Sequence, residues 1–164
     1  MATVRNITPS LWFDNNSEEA MNYYVSVFPN SKIEMIRRYP EGVTEGPMEG
    51  MGGKVLTGIF ELNGQRFMAL DGGPIFKFNE AVSFYVECET QEEIDHYWSK
   101  LSTVPEAEQC GWCKDQFGLS WQIAPKVLGE LMNDEDSEKV ARVTAAFMNM
   151  KKFDIAKLKA AYEG

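Results

Sequence analysis

A few side chains in this sequence have the type and spacing to do chemistry. Cys110-Gly111-Trp112-Cys113 carries the C-x-x-C spacing of redox and zinc centres. Thioredoxin-type chemistry places the first cysteine at a helix N-terminus, where its thiolate is stabilised. Here the motif enters a strand hairpin, and no second pair completes a zinc site. Structural cysteines are the favoured reading, with redox sensing the alternative. The carboxylate pairs Glu18-Glu19 and Glu92-Glu93 fall at predicted helix starts, where negative charge is stabilising, so they read as helix-start charges and not as acid–base pairs. The one histidine, His96, lies on the second predicted helix and reads as a solvent or helix-end residue. Gln122 is different. In the alternating run 119–124, Trp121 and Ile123 point one way, while Ser120, Gln122 and Ala124 point the other. If the second face lines a cavity, Gln122 is at its centre.

The hairpin around Gln122 spans 109–125 and turns at Asp115-Gln116-Phe117-Gly118, with glycine where positive φ is often needed. Upstream, 4–13 reads as a first strand with Leu11 and Phe13 on one face and Thr8, Ser10 and Trp12 on the other. Asn16 or Ser17 can cap a helix whose stripe is Ala20, Met21, Tyr24, Val25 and Phe28, ended by Pro29-Asn30. A second strand is predicted over 32–39. The stretch 40–53, with five glycines and two prolines, reads as a loop and lacks the P-loop spacing. Runs 54–62 and 65–70 form a hairpin around Asn63-Gly64, and Asp71-Gly72-Gly73-Pro74 breaks the chain.

A second unit repeats this order. A strand is predicted over 80–87, with Ala81, Ser83 and Tyr85 opposite Val82, Phe84 and Val86, followed by a helix from Gln91 to Leu101 capped by Thr90. Glu18-Glu19 with Tyr23-Tyr24 returns as Glu92-Glu93 with Tyr97-Trp98 (92 − 18 = 74), and Asn63-Gly64 returns as Phe117-Gly118 (117 − 63 = 54). Such repeats pack as a pseudo-symmetric pair. Helices are predicted over 127–132, 137–150 and 154–162. Their apolar stripes, Val140, Val143, Phe147 and Met150 then Ile155, Leu158 and Ala161 or Tyr162, must cover a sheet face or a subunit interface.

The totals narrow the function. A chain of 164 residues can bury a real core. The net charge of −9 argues against nucleic acid and anionic membranes as partners. No apolar run approaches the ~20 residues of a membrane span. Met-Ala-Thr-Val-Arg-Asn lacks the apolar core of a signal peptide, and three cysteines, an odd number, fit a reducing compartment. A cytoplasmic location is expected.

Thr8-Pro9-Ser10-Leu11-Trp12-Phe13, Glu19-Ala20-Met21, Phe67-Met68-Ala69-Leu70, Gly72-Gly73-Pro74, Phe76-Lys77-Phe78, Cys110-Gly111-Trp112 and Phe117-Gly118 followed by Ser120-Trp121-Gln122 together resemble the PhnB-like family. This bacterial family belongs to the glyoxalase, bleomycin-resistance and dioxygenase (vicinal oxygen chelate) superfamily and carries the label 3-demethylubiquinone-9 3-methyltransferase-like. The resemblance implies an α+β fold of paired βαβββ modules, each a curved mixed sheet forming half of a cup, assembled as a homodimer. On it, 1–126 is a glyoxalase-like domain of modules 1–74 and 75–126, and 127–164 is a C-terminal helical extension.

In active members of the superfamily four strand positions hold a divalent metal. By resemblance and internal repeat these fall on Thr8, Met68 (122 − 54 = 68), Ala81 with Ser83 next on that face, and Gln122. That set lacks the imidazole and carboxylate that Zn, Ni, Mn or Fe favour. The expectation is therefore no tightly bound metal and no other cofactor. Strand parity puts Phe13, Phe67, Phe84 and Trp121 in the core. It leaves Thr8, Ser10, Trp12, Met68, Leu70, Ser83, Tyr85, Ser120 and Gln122 lining the cup. This mostly apolar lining with a few hydroxyls and one amide suits a small, partly apolar or aromatic ligand. The alternatives are a second core filled by its own side chains, a metal-dependent lyase, isomerase or dioxygenase, a protein sequestering a toxic compound, and the methyl transfer of the label. For the last, the glycine-rich strand-to-helix turn of S-adenosylmethionine enzymes is missing, since Gly72-Gly73-Pro74 leads to phenylalanines and another strand.

Overall fold

The computed structural model describes residues 7–42 and 45–164. The predicted first strand thus begins, at 4–6, outside the described residues, as do 43–44 of the predicted loop. The chain forms two compact units, Met1–Lys77 and Phe78–Gly164. Among the described residues no helix is long and apolar enough to cross a membrane.

The first unit runs β1 (Ser10–Phe13), α1 (Ser17–Val27), β2 (Lys32–Arg38), β3 (Val55–Leu62) and β4 (Gln65–Asp71). Its sheet order is β1-β4-β3-β2, with β1 parallel to β4 and the other pairs antiparallel. This is the expected βαβββ unit. Asn63 (φ 45°) and Gly64 (φ 86°) make the two-residue turn between β3 and β4, both in the left-handed region that such hairpins demand. Ala20, Met21, Tyr24 and Val27 of α1 are buried with Phe13, Phe60, Phe67 and Ala69 of the sheet. Tyr24 stacks on Phe60, and Phe60 on Phe67 with ring centroids 5.3 Å apart. Gly58 lets the helix come this close, because a Cβ there would sit 2.5 Å from the Met21 thioether.

The cap of α1 differs from expectation. Asn16 occupies the N-cap without a side-chain cap bond, and among the described residues the buried Ser17 hydroxyl has no partner. Asp71, at the end of β4, does the work from 54 residues away. Its carboxylate accepts from Ser17 N at 2.9 Å and Val55 N at 3.0 Å, tying the starts of α1 and β3 to one buried group.

The second unit runs β5 (Ser83–Cys88), α2 (Gln91–Leu101), β6 (Trp112–Lys114), β7 (Ser120–Pro125), α3 (Lys126–Met132), α4 (Ser137–Met148) and α5 (Ile155–Glu163). Its sheet order is β5-β7-β6, with β5 parallel to β7. No strand stands where β2 stands in the first unit. The short link from α2 to β6 holds only a 3₁₀ turn, Pro105–Ala107, and proline cannot donate to a ladder. Helix α2 has the predicted bounds, and Thr90 and Glu93 close a capping box at its start.

The C-terminal helices belong to this second unit. Cys110 N donates to Met150 O and Gly111 N to Lys151 O, both at 2.8 Å. Gly111 makes the approach possible: its φ is +80°, and a Cβ would lie 2.3 Å from the Phe153 ring and 2.8 Å from Ile123 O. Gln91 clamps the same segment, donating to Phe153 O and accepting from Ile155 N. Val143 of α4 and Leu158 of α5 are fully buried, and Arg142 donates to Ala161 O and Tyr162 O at the end of α5.

Candidate functional site

The hairpin that carries Gln122 is built on a buried carboxylate. Asp115 Oδ1 accepts from Phe117 N (2.8 Å) and Leu119 N (3.0 Å), and Oδ2 accepts from Trp121 Nε1 (2.8 Å). The turn and the core-facing indole are thereby locked together, which sets the register of β7. Tyr85 and Trp112 both lie opposite Gln122, and Ser83 and Lys114 both lie opposite Ser120. By parity these six residues share one face. Phe84, Trp121, Cys113 and Ile123 share the other.

Two rows therefore cross this face. The first is Tyr85, Gln122 and Trp112; the second is Ser83, Ser120 and Lys114. Gln122 is half-buried and its Nε2 donates to Ser83 Oγ at 2.9 Å. That bond fixes the amide and, among the described residues, leaves its carbonyl oxygen uncommitted. Tyr85 is 58% exposed, and desolvation of its hydroxyl, helped by the Glu87 charge, pushes its pKa above the usual phenol value. It is a neutral donor at physiological pH. Ser120 is buried at 1% exposure, and among the described residues its hydroxyl has no hydrogen-bond partner. Lys114 pairs with Glu80, whose carboxyl the Lys114 hydrogen bond holds below the usual range.

Trp112, Lys114 and Glu80 are absent from the sequence-based lining. Hairpin pairing across the Asp115 turn is the signal that places Trp112 and Lys114 beside Gln122 and Ser120.

On the first unit's sheet, Ser10, Trp12, Met68 and Leu70 share a face by the same parity, Ser10 pairing with Met68 and Trp12 with Leu70. Thr8 precedes the strand, half-buried. The Trp12 indole donates to Gly73 O at 2.9 Å and meets the Phe76 ring edge-on at 5.1 Å. A Cβ on Gly72 would lie 2.1 Å from that indole. The Gly72-Gly73-Pro74 turn is thus a cradle for Trp12.

Register also fixes how the repeats correspond. Ser10 pairs with Met68 as Tyr85 pairs with Gln122, so the first-strand shift is 85 − 10 = 75, and Thr8 corresponds to Ser83. Ala81 lies in an exposed turn ahead of β5. At the metal-type positions the first unit then holds a hydroxyl and a thioether, and the second a hydroxyl and an amide bonded to each other. These donors do not fit a tightly held transition metal. Among the described residues no three His, Cys, Asp or Glu side chains gather as ligands, and His96 is exposed on α2.

The cysteines stand apart from this face. Burial pushes the Cys88 and Cys113 thiols up to about 12. Cys110, in the left-handed region at φ 49°, points its thiol at Phe147 O and Met148 O. Two hollows also lie elsewhere. One of about 470 Å³ in the first unit is edged by Arg38, Lys54, Glu18 and Asp71, with Arg38 spent on a two-pronged bond to Glu18. The other, about 430 Å³, lies between the starts of α2 and α5. The Gln122 face outranks both because its polar groups are incompletely satisfied.

The family profile described as 3-demethylubiquinone-9 3-methyltransferase matches residues 5–124. Among solved structures, the chain is similar to the PhnB protein of Bacillus cereus, whose name carries the same methyltransferase label. The identity is 41%, over 74% of this chain and 99% of that one, with a TM-score of 0.62. A protein of Pseudomonas aeruginosa matches at 17% identity, over 74% of this chain and 98% of that one, with a TM-score of 0.58, which speaks to the fold alone. No curated protein matches.

Proposed function

The chain belongs to the PhnB-like 3-demethylubiquinone-9 3-methyltransferase family, and from this premise we propose that it binds a small, partly apolar or aromatic molecule, without a tightly held metal, on the strand face that carries Gln122. One observation carries the reading: a half-buried amide, fixed by Ser83, stands between Tyr85 and Trp112 with its carbonyl oxygen uncommitted among the described residues. A ring can pack on either aromatic side chain, and a ligand hydroxyl or N–H can donate to Gln122 Oε1. The Tyr85 hydroxyl supplies a neutral donor beside it. On the first unit, Thr8, Ser10, Trp12, Met68 and Leu70 offer a lining of the same character.

The test is an NMR screen of small aromatic and aliphatic fragments against the isotope-labelled full chain. Shifts clustered on Ser83, Tyr85, Trp112, Ser120 and Gln122 support the proposal; hits confined to the two hollows, or none, refute it. The reading includes a bacterial cytoplasmic setting, a homodimer, and 127–164 as a helical extension of a binding domain spanning 1–126.

The family label favours a second reading, methyl transfer to a demethylubiquinone-type phenol. The residues argue against S-adenosylmethionine: the one glycine pair after a strand, Gly72-Gly73, is filled by the Trp12 indole and opens no helix. A calorimetric titration with S-adenosylmethionine decides between the two, and saturable binding at micromolar concentration would restore the methyltransferase. A metal-dependent lyase, isomerase or dioxygenase would require about one Zn, Ni, Mn or Fe per chain retained through dialysis. Sequestration of a toxic compound is the proposed binding without turnover, and a survival assay with and without the protein separates it from catalysis.

A further inference from the structure

Resting on that binding face, we infer that its ligand is an aromatic molecule carrying an anionic oxygen group, such as a carboxylate, received by Lys114 and Ser120 as the Glu80 carboxylate gives way. The two cross-strand rows differ in character. Tyr85, Gln122 and Trp112 offer aromatic surface around an amide, while Ser83, Ser120 and Lys114 offer two hydroxyls and an ammonium. Rows two residues apart along a strand are separated by about 7 Å. A phenyl ring joined to a carboxylate through two carbons spans them.

Two further observations point the same way. The Ser120 hydroxyl is buried at 1% exposure without a hydrogen-bond partner among the described residues, which native structures rarely leave unexplained. Lys114 lies directly opposite Ser120 on β6, and Glu80 lies three residues ahead of Ser83, opposite Ser120 on β5. Their ion pair therefore ties a residue of the row that holds the orphan hydroxyl to the turn ahead of β5. Within it the Lys114 side chain is 22% exposed and the Glu80 side chain 62%. The cation is the held partner and the carboxylate the outlying one. Exposed ion pairs contribute little to stability, so an incoming oxyanion can take the place of Glu80 and reach the Ser120 hydroxyl. Glu87, exposed one row beyond Tyr85 on the same face, repels an anion there and sets the ligand's direction.

The experiment is calorimetry on the full chain with trans-cinnamate and its neutral amide, cinnamamide. The acid should bind at least about ten-fold more tightly than the amide, the range of a charge-assisted hydrogen bond. Lys114→Met should abolish that preference, bringing the acid and the amide within about two-fold of each other. Glu80→Gln should raise affinity for the acid several-fold and not for the amide, a gain that no merely structural role produces. It also decides the matter if Lys114→Met fails to fold. Equal binding of acid and amide overturns the inference, as does an acid affinity indifferent to both substitutions. In either case Gln122→Ala, by weakening both probes, leaves the underlying binding face intact. Binding of neither probe at millimolar concentration also overturns the inference, while the fragment screen decides the underlying reading by itself.

Discussion

Replacing Asp115 with asparagine changes one atom of the hairpin that presents Gln122. The buried carboxylate accepts bonds from Phe117 N, Leu119 N and Trp121 Nε1. An amide has one acceptor oxygen. With that oxygen in the place of Oδ1, both turn N–H groups stay satisfied and an NH₂ then faces the indole N–H. The loss is one charge-assisted bond plus a buried donor without a partner, each about 1–3 kcal/mol, offset by relief of the buried charge. A net cost of about 2–4 kcal/mol follows. At roughly 2–4 °C per kcal/mol for a domain of this size, the melting temperature should fall by about 5–15 °C. Denaturant melts and calorimetry on Asp115→Asn, Trp121→Phe and the double variant give the coupling between the two side chains. A coupling of at least about 1 kcal/mol is expected. An Asp115→Asn protein as stable as wild type, or a coupling near zero, would refute the claim that this carboxylate organises the hairpin.

Gly111→Ala should destabilise strongly and make 126–164 protease-sensitive, because its Cβ would strike Ile123 O and the Phe153 ring; an intact, resistant C-terminal segment would contradict this. Cys88 and Cys113, with thiols pushed up to about 12 by burial, should resist alkylation at pH 8 in the native state, as peptide mapping after iodoacetamide would read. Their folded pKa values lie above the unfolded ones. The stability they contribute is therefore complete below about pH 8.5 and declines as pH rises toward 12, visible as an alkaline fall in melting temperature. A native Cys113 that alkylates as fast as an unfolded control would count against its buried position. For the proposed homodimer, Phe147→Ser with Met150→Ser should shift sedimentation from dimer to monomer; a wild-type monomer at micromolar concentration rules the dimer out.

Local signals carried much of this fold. Thr90 and Glu93 mark the start of α2 within four residues, and Asn63-Gly64 marks a turn within two, so both were legible without tertiary context. Asp71 was not, because its role as the cap of α1 depends on a strand end 54 residues downstream. Strand β5 begins at Ser83 rather than at the predicted residue 80, since alternation continues past the last ladder bond and cannot show where pairing stops. Parity along β7 was enough to put Gln122 on the face opposite Trp121 and Ile123. Trp112 and Lys114 needed the pairing partner as well, and one residue of register decides which face a side chain joins. The approach of Phe153 to Gly111 left no local trace, because a glycine that admits a distant ring reads like any turn glycine.

The central claim, that Gln122 is the polar anchor of a small-molecule site, is tested most directly on Gln122→Ala. Calorimetric titration with a fragment that binds the wild-type chain should be run beside a thermal melt of both proteins. Losing the amide leaves a ligand polar group unpaired, about 1–3 kcal/mol, so affinity should fall about five- to 150-fold. Among the described residues the bond to Ser83 is the hydrogen bond this side chain contributes to the fold, so the melting temperature should move by no more than a few degrees. An unchanged affinity with a clearly lowered melting temperature would instead make Gln122 a structural amide and contradict the account.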